Sequence, residues 1–306
     1  MKNFKFALFS LCSLMVLTPS CSSDSEETPA VPEVGNFGEV KFDREKFGLG
    51  QTITASCQLP TTSTNISDLT YSWYVNGELL DENTASNGTS NITFTLPSPI
   101  ISNVTPGDYK IELKASTTTE AKLPVPATAT FKTQYTDAYL SFWGDNVDLT
   151  KKNVPGLTEN KGVYTVTMKD YLLQDYAKQD MQATYSFTDK KLSKVDETHS
   201  LTIKNSQLGE FFSVFKAMMK RTLRCYNITE TQSIISFDDQ TQKDFNYNSD
   251  TYNKDDFELD IFVLGGKITI HAENDNTELV ISAVGKTGET PSDYAIDCTF
   301  TYTPKN

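Results

Sequence analysis

Histidine is scarce in this chain, which limits the acid–base and metal chemistry open to it. His199 and His271 are the two histidines in 306 residues, and neither belongs to a His-Glu-x-x-His pair. The sequence has no cysteine pair at zinc-ligand spacing, no nucleophile elbow and no phosphate-binding glycine loop. We therefore expect both histidines to be structural or exposed.

Carboxylates remain as catalytic candidates, because a glycoside hydrolase needs only two of them at a separation that sequence does not reveal. Residues 135–306 are fewer than the roughly 250 of a (β/α)8 barrel, and their pattern does not alternate strands with helices. We expect a protein that is not an enzyme. A glycan-processing hydrolase with paired carboxylates is the alternative.

The acidic stretch 238–260 holds the candidate metal ligands. Asp250, Asp255 and Asp256 lie close together in it, and carboxylates with nearby carbonyl and amide oxygens suit Ca²⁺. The regular Asp-x-Asp-x-Asp-Gly spacing is absent, so a long solvated loop is the alternative.

Aromatic rings among hydrogen-bonding side chains suit stacking on sugar rings. Tyr247 and Tyr252 lie in the same acidic stretch, and Trp143 precedes it in a predicted strand. We predict that these three side chains contact a ligand. For this, the strands and loops that carry them must bring them together in the fold.

Two cysteines, Cys225 and Cys298, are placed where a disulfide could join a predicted helix to a predicted strand. An oxidising compartment would favour the bond, provided that the Cα atoms lie within about 7 Å of each other. Two separate thiols are the alternative.

The first residues of the chain have the order of a secretion signal. Lys2 and Lys5 precede an apolar run from Phe6 to Leu17, which is shorter than the about 20 residues of a transmembrane helix. Leu17-Thr18-Pro19-Ser20-Cys21 then resembles the lipobox of bacterial lipoproteins. An ordinary secretory peptide cut at a small residue is the alternative.

The lipobox resemblance implies a signal peptide over residues 1–20, acylation of Cys21 and a flexible tether over residues 21–36. Ser22 follows the cysteine, and the acidic run after it resembles the surface-export tether of certain Gram-negative bacteria. The implied location is the outer membrane, facing outward, with the lipid anchor as the membrane contact. The net charge of −13 repels phosphate backbones, so we expect no nucleic-acid partner.

Residues 37–134 alternate apolar and polar side chains with a period of two, in short runs separated by turn signals. Asn76-Gly77 supplies the residues of a tight hairpin turn. This pattern predicts a β-sandwich. Segments 71–77 and 106–111 resemble the core-tryptophan strand and the tyrosine-corner strand of immunoglobulin-like and PKD-like modules, which serve as spacers or adhesive units. Cys57 lacks the partner cysteine of that family, because Ile111 stands at its position, so we predict a buried thiol.

The pattern of residues 135–306 predicts an α+β domain. This segment resembles no known family. Apolar residues spaced three and four apart from Ser206 to Tyr226 predict one amphipathic helix, capped by Ser206. The remaining apolar runs predict strands over residues 139–144, 163–168, 183–187, 192–203, 258–263, 267–272, 278–284 and 294–302.

The fold class is therefore mainly β, with an N-terminal immunoglobulin-like β-sandwich followed by an α+β domain in which one amphipathic helix packs on an antiparallel sheet. By analogy with surface lipoproteins of this build, we expect a non-catalytic binding or accessory component that captures glycans or adheres to host ligands. Its partners would be a polysaccharide or another envelope protein. A structural component of the cell envelope is a further alternative.

Overall fold

The computed structural model describes residues 30–62, 66–80, 90–168, 180–238, 240–249, 251–287 and 293–305. The signal peptide, the acylation site Cys21 and the predicted calcium ligand Asp250 lie outside these ranges and stay predictions. The described end of the predicted tether runs along the sandwich, where Val34 is buried and its backbone N–H donates to the Lys122 carbonyl oxygen at 3.0 Å.

Eight strands form two sheets in the described N-terminal half. They are β1 (Lys41–Phe42), β2 (Phe47–Gly48), β3 (Thr52–Ser56), β4 (Thr70–Val75), β5 (Glu78–Leu79), β6 (Asn91–Thr95), β7 (Asp108–Ser116) and β8 (Ala127–Gln134). One sheet has the order β1-β3-β6, and the other has the order β2-β8-β7-β4-β5.

Alternate residues of these strands meet in one core. Ile53 and Ala55 on β3, Trp73 on β4 and Ile111 on β7 are fully buried, while their neighbours along each strand are more exposed. Period-two burial on both sheets places one face of each sheet against the other. This arrangement confirms the predicted immunoglobulin-like β-sandwich.

Local features of the sandwich also follow the prediction. Asn76 and Gly77 have φ values of 52° and 86°, the positive values that a two-residue turn between β4 and β5 requires. Cys57 is buried, and its thiol donates to the Gly38 carbonyl oxygen at 3.3 Å. Burial raises the pKa of this thiol, so Cys57 behaves as a small apolar side chain.

Nine strands form a single antiparallel sheet in the described C-terminal half. They are β9 (Thr158–Asn160), β10 (Val163–Met168), β11 (Met181–Thr188), β12 (Lys191–Lys204), β13 (Thr229–Ser236), β14 (Gln242–Asp244), β15 (Lys267–Glu273), β16 (Thr277–Thr287) and β17 (Asp293–Pro304). The order is β14-β13-β15-β16-β17-β12-β11-β10-β9. The helices are α1 (Val147–Asn153), α2 (Leu208–Cys225) and α3 (Lys254–Glu258).

Helix α2 packs on this sheet through the apolar stripe that its sequence predicts. Phe211, Phe215 and Met219 on the stripe are fully buried in the same core as the inward-facing residues of the sheet. This confirms the predicted helix on an antiparallel sheet. The predicted cap is wrong, because Ser206 lies in a 3-10 turn and Gln207 at the N-cap makes no side-chain capping bond.

Two predicted strands are wrong. Residues 258–263 form the end of α3 and a π-helical turn, because Asn253 and Asp256 make a capping box that starts a helix just before them. The helical turn also fits its surroundings, since the Ile261 carbonyl lies where a Cβ on Gly285 would be. Residues 139–144 form a turn instead of a strand, and Leu140 there has a φ of 51°.

The two halves meet through a group of buried polar residues that we call the polar seam, formed by Arg44, Gln51, Asn153 and the Leu140 carbonyl. The Arg44 guanidinium donates to Asn153 Oδ1 at 2.6 Å and to Gln51 Oε1 at 3.1 Å. Gln51 Nε2 donates to the Leu140 oxygen at 2.7 Å. The bonds to Asn153 and to the Leu140 oxygen join residues 109 and 89 positions apart, so these two bonds fix one half against the other.

Candidate functional site

The predicted aromatic ligand contacts have structural partners of their own. Tyr247 is buried, and its hydroxyl donates to Glu230 Oε2 at 2.6 Å. Burial, together with this carboxylate, raises the pKa of Tyr247 well above its usual value. The Tyr252 hydroxyl donates to Asp260 Oδ2 at 2.8 Å. Both tyrosine hydroxyls are therefore already hydrogen-bonded to carboxylates of the protein.

Trp143 lies elsewhere, beside the polar seam. Its indole nitrogen donates to Thr277 Oγ1 at 2.9 Å, and it lines a cavity of about 370 Å³ together with Arg44 and Lys46. Tyr247 lines a different cavity. The structure therefore does not join the three predicted contacts in one site.

The two predicted calcium ligands that the structure describes also have other roles. Asp256 Oδ2 accepts the Asn253 backbone N–H of the capping box at 3.0 Å. Asp255 pairs with Lys254 at 2.8 Å. Within the described ranges, no three His, Cys, Asp or Glu side chains come together in a way that could hold a metal ion.

The disulfide that the sequence allowed is not formed in this structure. Cys225 and Cys298 are both buried thiols, and the Cys225 thiol donates to the Pro99 carbonyl oxygen at 3.0 Å. Burial raises the pKa of Cys225, although the charges of Arg221 and Arg224 oppose that effect. A protonated buried thiol is a poor nucleophile.

The strongest candidate site is a cavity of about 290 Å³ between the two halves, which we call the junction pocket. Its walls come from a loop of the sandwich, from α2 and from the inner face of the sheet. The lining residues are Ser98, Ile100, Ile101, Tyr139, Met168, Met181, Glu197, His199, Met218, Arg221, Thr222, Cys225, Tyr226, Phe300 and Tyr302.

Strand β12 places two polar side chains on the apolar inner face of the sheet. Glu197 and His199 alternate with exposed or half-buried residues and are 7% and 6% exposed. The His199 ring contacts the Phe300 ring edge-to-face, with 5.2 Å between centroids. Buried polar side chains usually serve a structural or a binding role. Glu197 and His199 both line the junction pocket, which is where a ligand would bind.

Helix α2 supplies the opposite wall, with Met218, Arg221, Thr222 and Cys225 spaced along one stripe. The sandwich loop closes the third side, because the Cys225 thiol and the Arg224 guanidinium both donate to the Pro99 carbonyl. The sandwich is therefore part of the site and more than a spacer beneath it.

Buried tyrosines give the junction pocket a lining of protonated hydroxyls. Burial, followed by the nearby Glu197 charge, raises the pKa of Tyr302 well above its usual value. The pKa of Tyr226 is raised by burial and by the charges of Tyr302 and Glu197. No hydrogen bond of ordinary geometry reaches the Tyr302 hydroxyl from the described residues. A ligand in the pocket would meet these hydroxyls as neutral groups.

The sequence alone did not predict this pocket, although one feature of the sequence points to it. His199 shares a strand face with Leu201 and Ile203, so it could be recognised as a polar group on a core face. Glu197 lies on the same face. Local pattern does not show that Arg221 and the Ser98–Ile101 loop line the same pocket as these two residues.

Comparisons with known proteins identify no family. No family model matches this chain, and no curated protein matches it. Among solved structures, the rat CD45 extracellular region, domains d3-d4, is similar at 12% identity over 42% of this chain and 83% of that chain, with a TM-score of 0.23. The chicken CNTN1 FN1-FN3 domains match at 7% identity over 80% and 93% of the two chains, with a TM-score of 0.23.

A third structure, titin kinase and its flanking domains, is 9% identical over 69% of this chain and 36% of that chain, with a TM-score of 0.19. Scores this low carry no argument about function. In the part of the chain that the structure describes, no helix is both long and apolar enough to cross a membrane.

Proposed function

We propose that this protein is a lipid-anchored component of the bacterial cell surface that binds a small ligand in the junction pocket without transforming it. The lipobox-like segment that ends at Cys21 and the acidic run after it support the anchor and its outward direction. The junction pocket supports the binding role.

The observation that carries the binding role is the position and lining of this pocket. Ligand sites occur preferentially at interfaces between domains, with mostly apolar walls and a few convergent polar groups. The junction pocket lies between the two halves and combines methionine and aromatic walls with Glu197, His199 and Arg221. Its volume of about 290 Å³ suits a small molecule or one terminal group of a larger one.

The hydrolase alternative has less support at this site. A glycosidase needs two carboxylates on opposite sides of the scissile bond. Among the described residues that line the junction pocket, Glu197 is the one carboxylate. The raised pKa of Cys225 also argues against its use as a nucleophile.

Binding can be tested on the full-length, detergent-solubilised protein with 2-naphthamide, a small neutral aromatic probe, by isothermal titration calorimetry. Thr222→Trp would fill the pocket from α2, and we expect it to weaken binding at least tenfold. Ala217→Trp, on the exposed face of the same helix, is the matched control and should bind as the wild type does. Equal binding by both variants, or none by the wild type, would contradict the proposal.

The anchor has a separate test. Metabolic labelling with a clickable fatty acid should label the wild type and the Cys12→Ala variant but not the Cys21→Ala variant. Cys12 is the other cysteine of the N-terminal segment, which makes it a matched control. Retained label in the Cys21→Ala protein would contradict the anchor without affecting the pocket.

A further inference from the structure

Arg221 is a cation of the junction pocket that forms no hydrogen bond or ion pair within the described part of the chain. It is half-buried, and its side chain makes no hydrogen bond or ion pair with any other residue that the structure describes. The neighbouring Arg224, in contrast, donates to the Pro99 carbonyl. Acidic residues are plentiful in the chain, which has 40 of them against 27 basic ones. A guanidinium that lines a pocket without an ion pair to any described carboxylate can therefore receive a ligand.

Methionine and aromatic side chains make up much of the lining of the pocket that Arg221 shares. Met218 lies one turn earlier on α2, and Met168, Met181 and Phe300 line the pocket from the sheet. Methionine side chains adapt to irregular apolar shapes and make favourable contacts with aromatic rings. A ligand whose apolar body packs against these side chains can extend a head group to Arg221.

The other charged group of the pocket, Glu197, would favour the opposite kind of ligand, so the two must be weighed. Glu197 is almost fully buried and already interacts within the protein. Arg221 is more exposed and makes no hydrogen bond or ion pair with a described residue, so its charge is the one available to a ligand. Guanidinium groups bind carboxylates and other oxyanions through two parallel hydrogen bonds.

We infer that the junction pocket takes an organic anion with an apolar body, whose carboxylate or equivalent oxyanion pairs with Arg221. The body packs against Met168, Met181, Met218 and Phe300. This inference rests on the proposed binding function and adds the chemical class of the ligand.

The test compares 2-naphthoate with 2-naphthamide, which share one apolar body and differ in charge. At pH 7.5, isothermal titration calorimetry on the full-length protein should show about tenfold tighter binding of the carboxylate, the size expected of charge-assisted hydrogen bonds. Arg221→Gln should remove this preference while the amide still binds. Lys220→Gln, the same loss of charge one residue away on the exposed face, should keep it.

Each outcome decides a different point. Equal binding of the two probes by the wild type, or a preference that survives Arg221→Gln, would overturn the anionic class while leaving the proposed binding function intact. Tighter binding of 2-naphthylmethylammonium than of 2-naphthoate would overturn it in favour of Glu197 as the recognition group. Absence of binding by every probe would overturn the proposed function as well.

Discussion

Two arginines at the junction of the halves are used in opposite ways. Arg44 in the polar seam has a side chain that is 2% exposed, and it donates to Asp43, Gln51, Asn153 and the Thr52 carbonyl. Arg221 in the junction pocket has no such partner among the described residues. One side of the interface is filled by protein groups, and the other side holds a cavity that Arg221 lines.

This difference separates a structural role from a binding role. A buried cation is tolerated only when hydrogen bonds satisfy it, and a fully satisfied network rigidifies the elements that it joins. The polar seam therefore holds the sandwich and the sheet in one orientation. We expect that rigidity to hold the Ser98–Ile101 loop, α2 and β12 at fixed distances and so to preform the pocket between them.

The largest effect is expected at the polar seam. Arg44→Ala would remove the donor to Asn153 Oδ1 and one of the two donors to Gln51 Oε1, which also accepts the Gly48 backbone N–H. It would also leave Lys152 as the remaining cation beside the partly buried Asp43. Removing one member of such a network should lower the free energy of unfolding by about 3–5 kcal/mol in urea denaturation. Lys132→Ala, an exposed cation 3.8 Å from Asp108, should change it by less than about 0.5 kcal/mol. A loss below about 1 kcal/mol for Arg44→Ala would break the comparison.

A smaller, pH-dependent effect is expected at Asp43. Burial by itself would raise the pKa of Asp43, but hydrogen bonds from Arg44 and Lys152 outweigh burial and hold the pKa below the usual 3.8. A lowered pKa in the folded state means that this carboxylate stabilises the fold above pH 3.8 and loses that contribution as the pH falls further.

Urea denaturation at several pH values should therefore show Asp43→Asn less stable than the wild type at pH 7, with a difference that narrows below about pH 4. Asp108→Asn, which alters an exposed carboxylate, should stay within about 0.5 kcal/mol of the wild type at pH 7. If the difference in unfolding free energy between the variant and the wild type is constant across this pH range, the charge of Asp43 does not stabilise the polar seam.

On the pocket side, Cys225→Ala should lower the free energy of unfolding by about 1 kcal/mol, because it removes one hydrogen bond to the Pro99 carbonyl. Arg224 still reaches that oxygen. Cys225→Ser keeps a donor and should lose less. A loss above about 3 kcal/mol for Cys225→Ala would mean that the pocket side is held as tightly as the polar seam.

The smallest stability effect is expected at Arg221. Arg221→Ala removes a side chain that makes no hydrogen bond or ion pair with a described residue. The free energy of unfolding, from thermal and urea denaturation, should therefore stay within about 0.5 kcal/mol of the wild-type value. Binding of 2-naphthoate should nevertheless weaken. A loss of stability above about 1 kcal/mol would assign Arg221 a structural role and remove the contrast with Arg44.

Local periodicity predicted much of the fold. Trp73 and Ile111 belong to period-two runs, and Phe211 and Phe215 belong to a helical stripe, so their burial could be inferred from their neighbours alone. Turns followed the same logic, since Asn76-Gly77 tolerates the positive φ that a tight hairpin needs. Strand β13 (Thr229–Ser236) was not predicted, because its apolar pair Ile234-Ile235 is flanked by polar residues on both faces.

Residues 258–263 show where local pattern fails. Their alternation fits a strand, but the capping box at Asn253 commits the chain to a helix immediately before them. The close approach of Ile261 to Gly285 then accommodates the helical turn. Gly285 is distant in sequence from residues 258–263, so the local pattern around these residues does not reveal that a helical turn fits there.

The sequence by itself determined which faces of the strands and of α2 are apolar, because burial with a period of 2 or 3.6 is written in neighbouring residues. Only the tertiary structure decided what those faces meet. The junction pocket joins Ser98, Glu197, Arg221 and Phe300 from four separate elements, and a cavity is defined by the distances between elements. The same holds for the two arginines, since only the folded chain brings Asn153 to Arg44 and places Arg221 in the lining of the junction pocket.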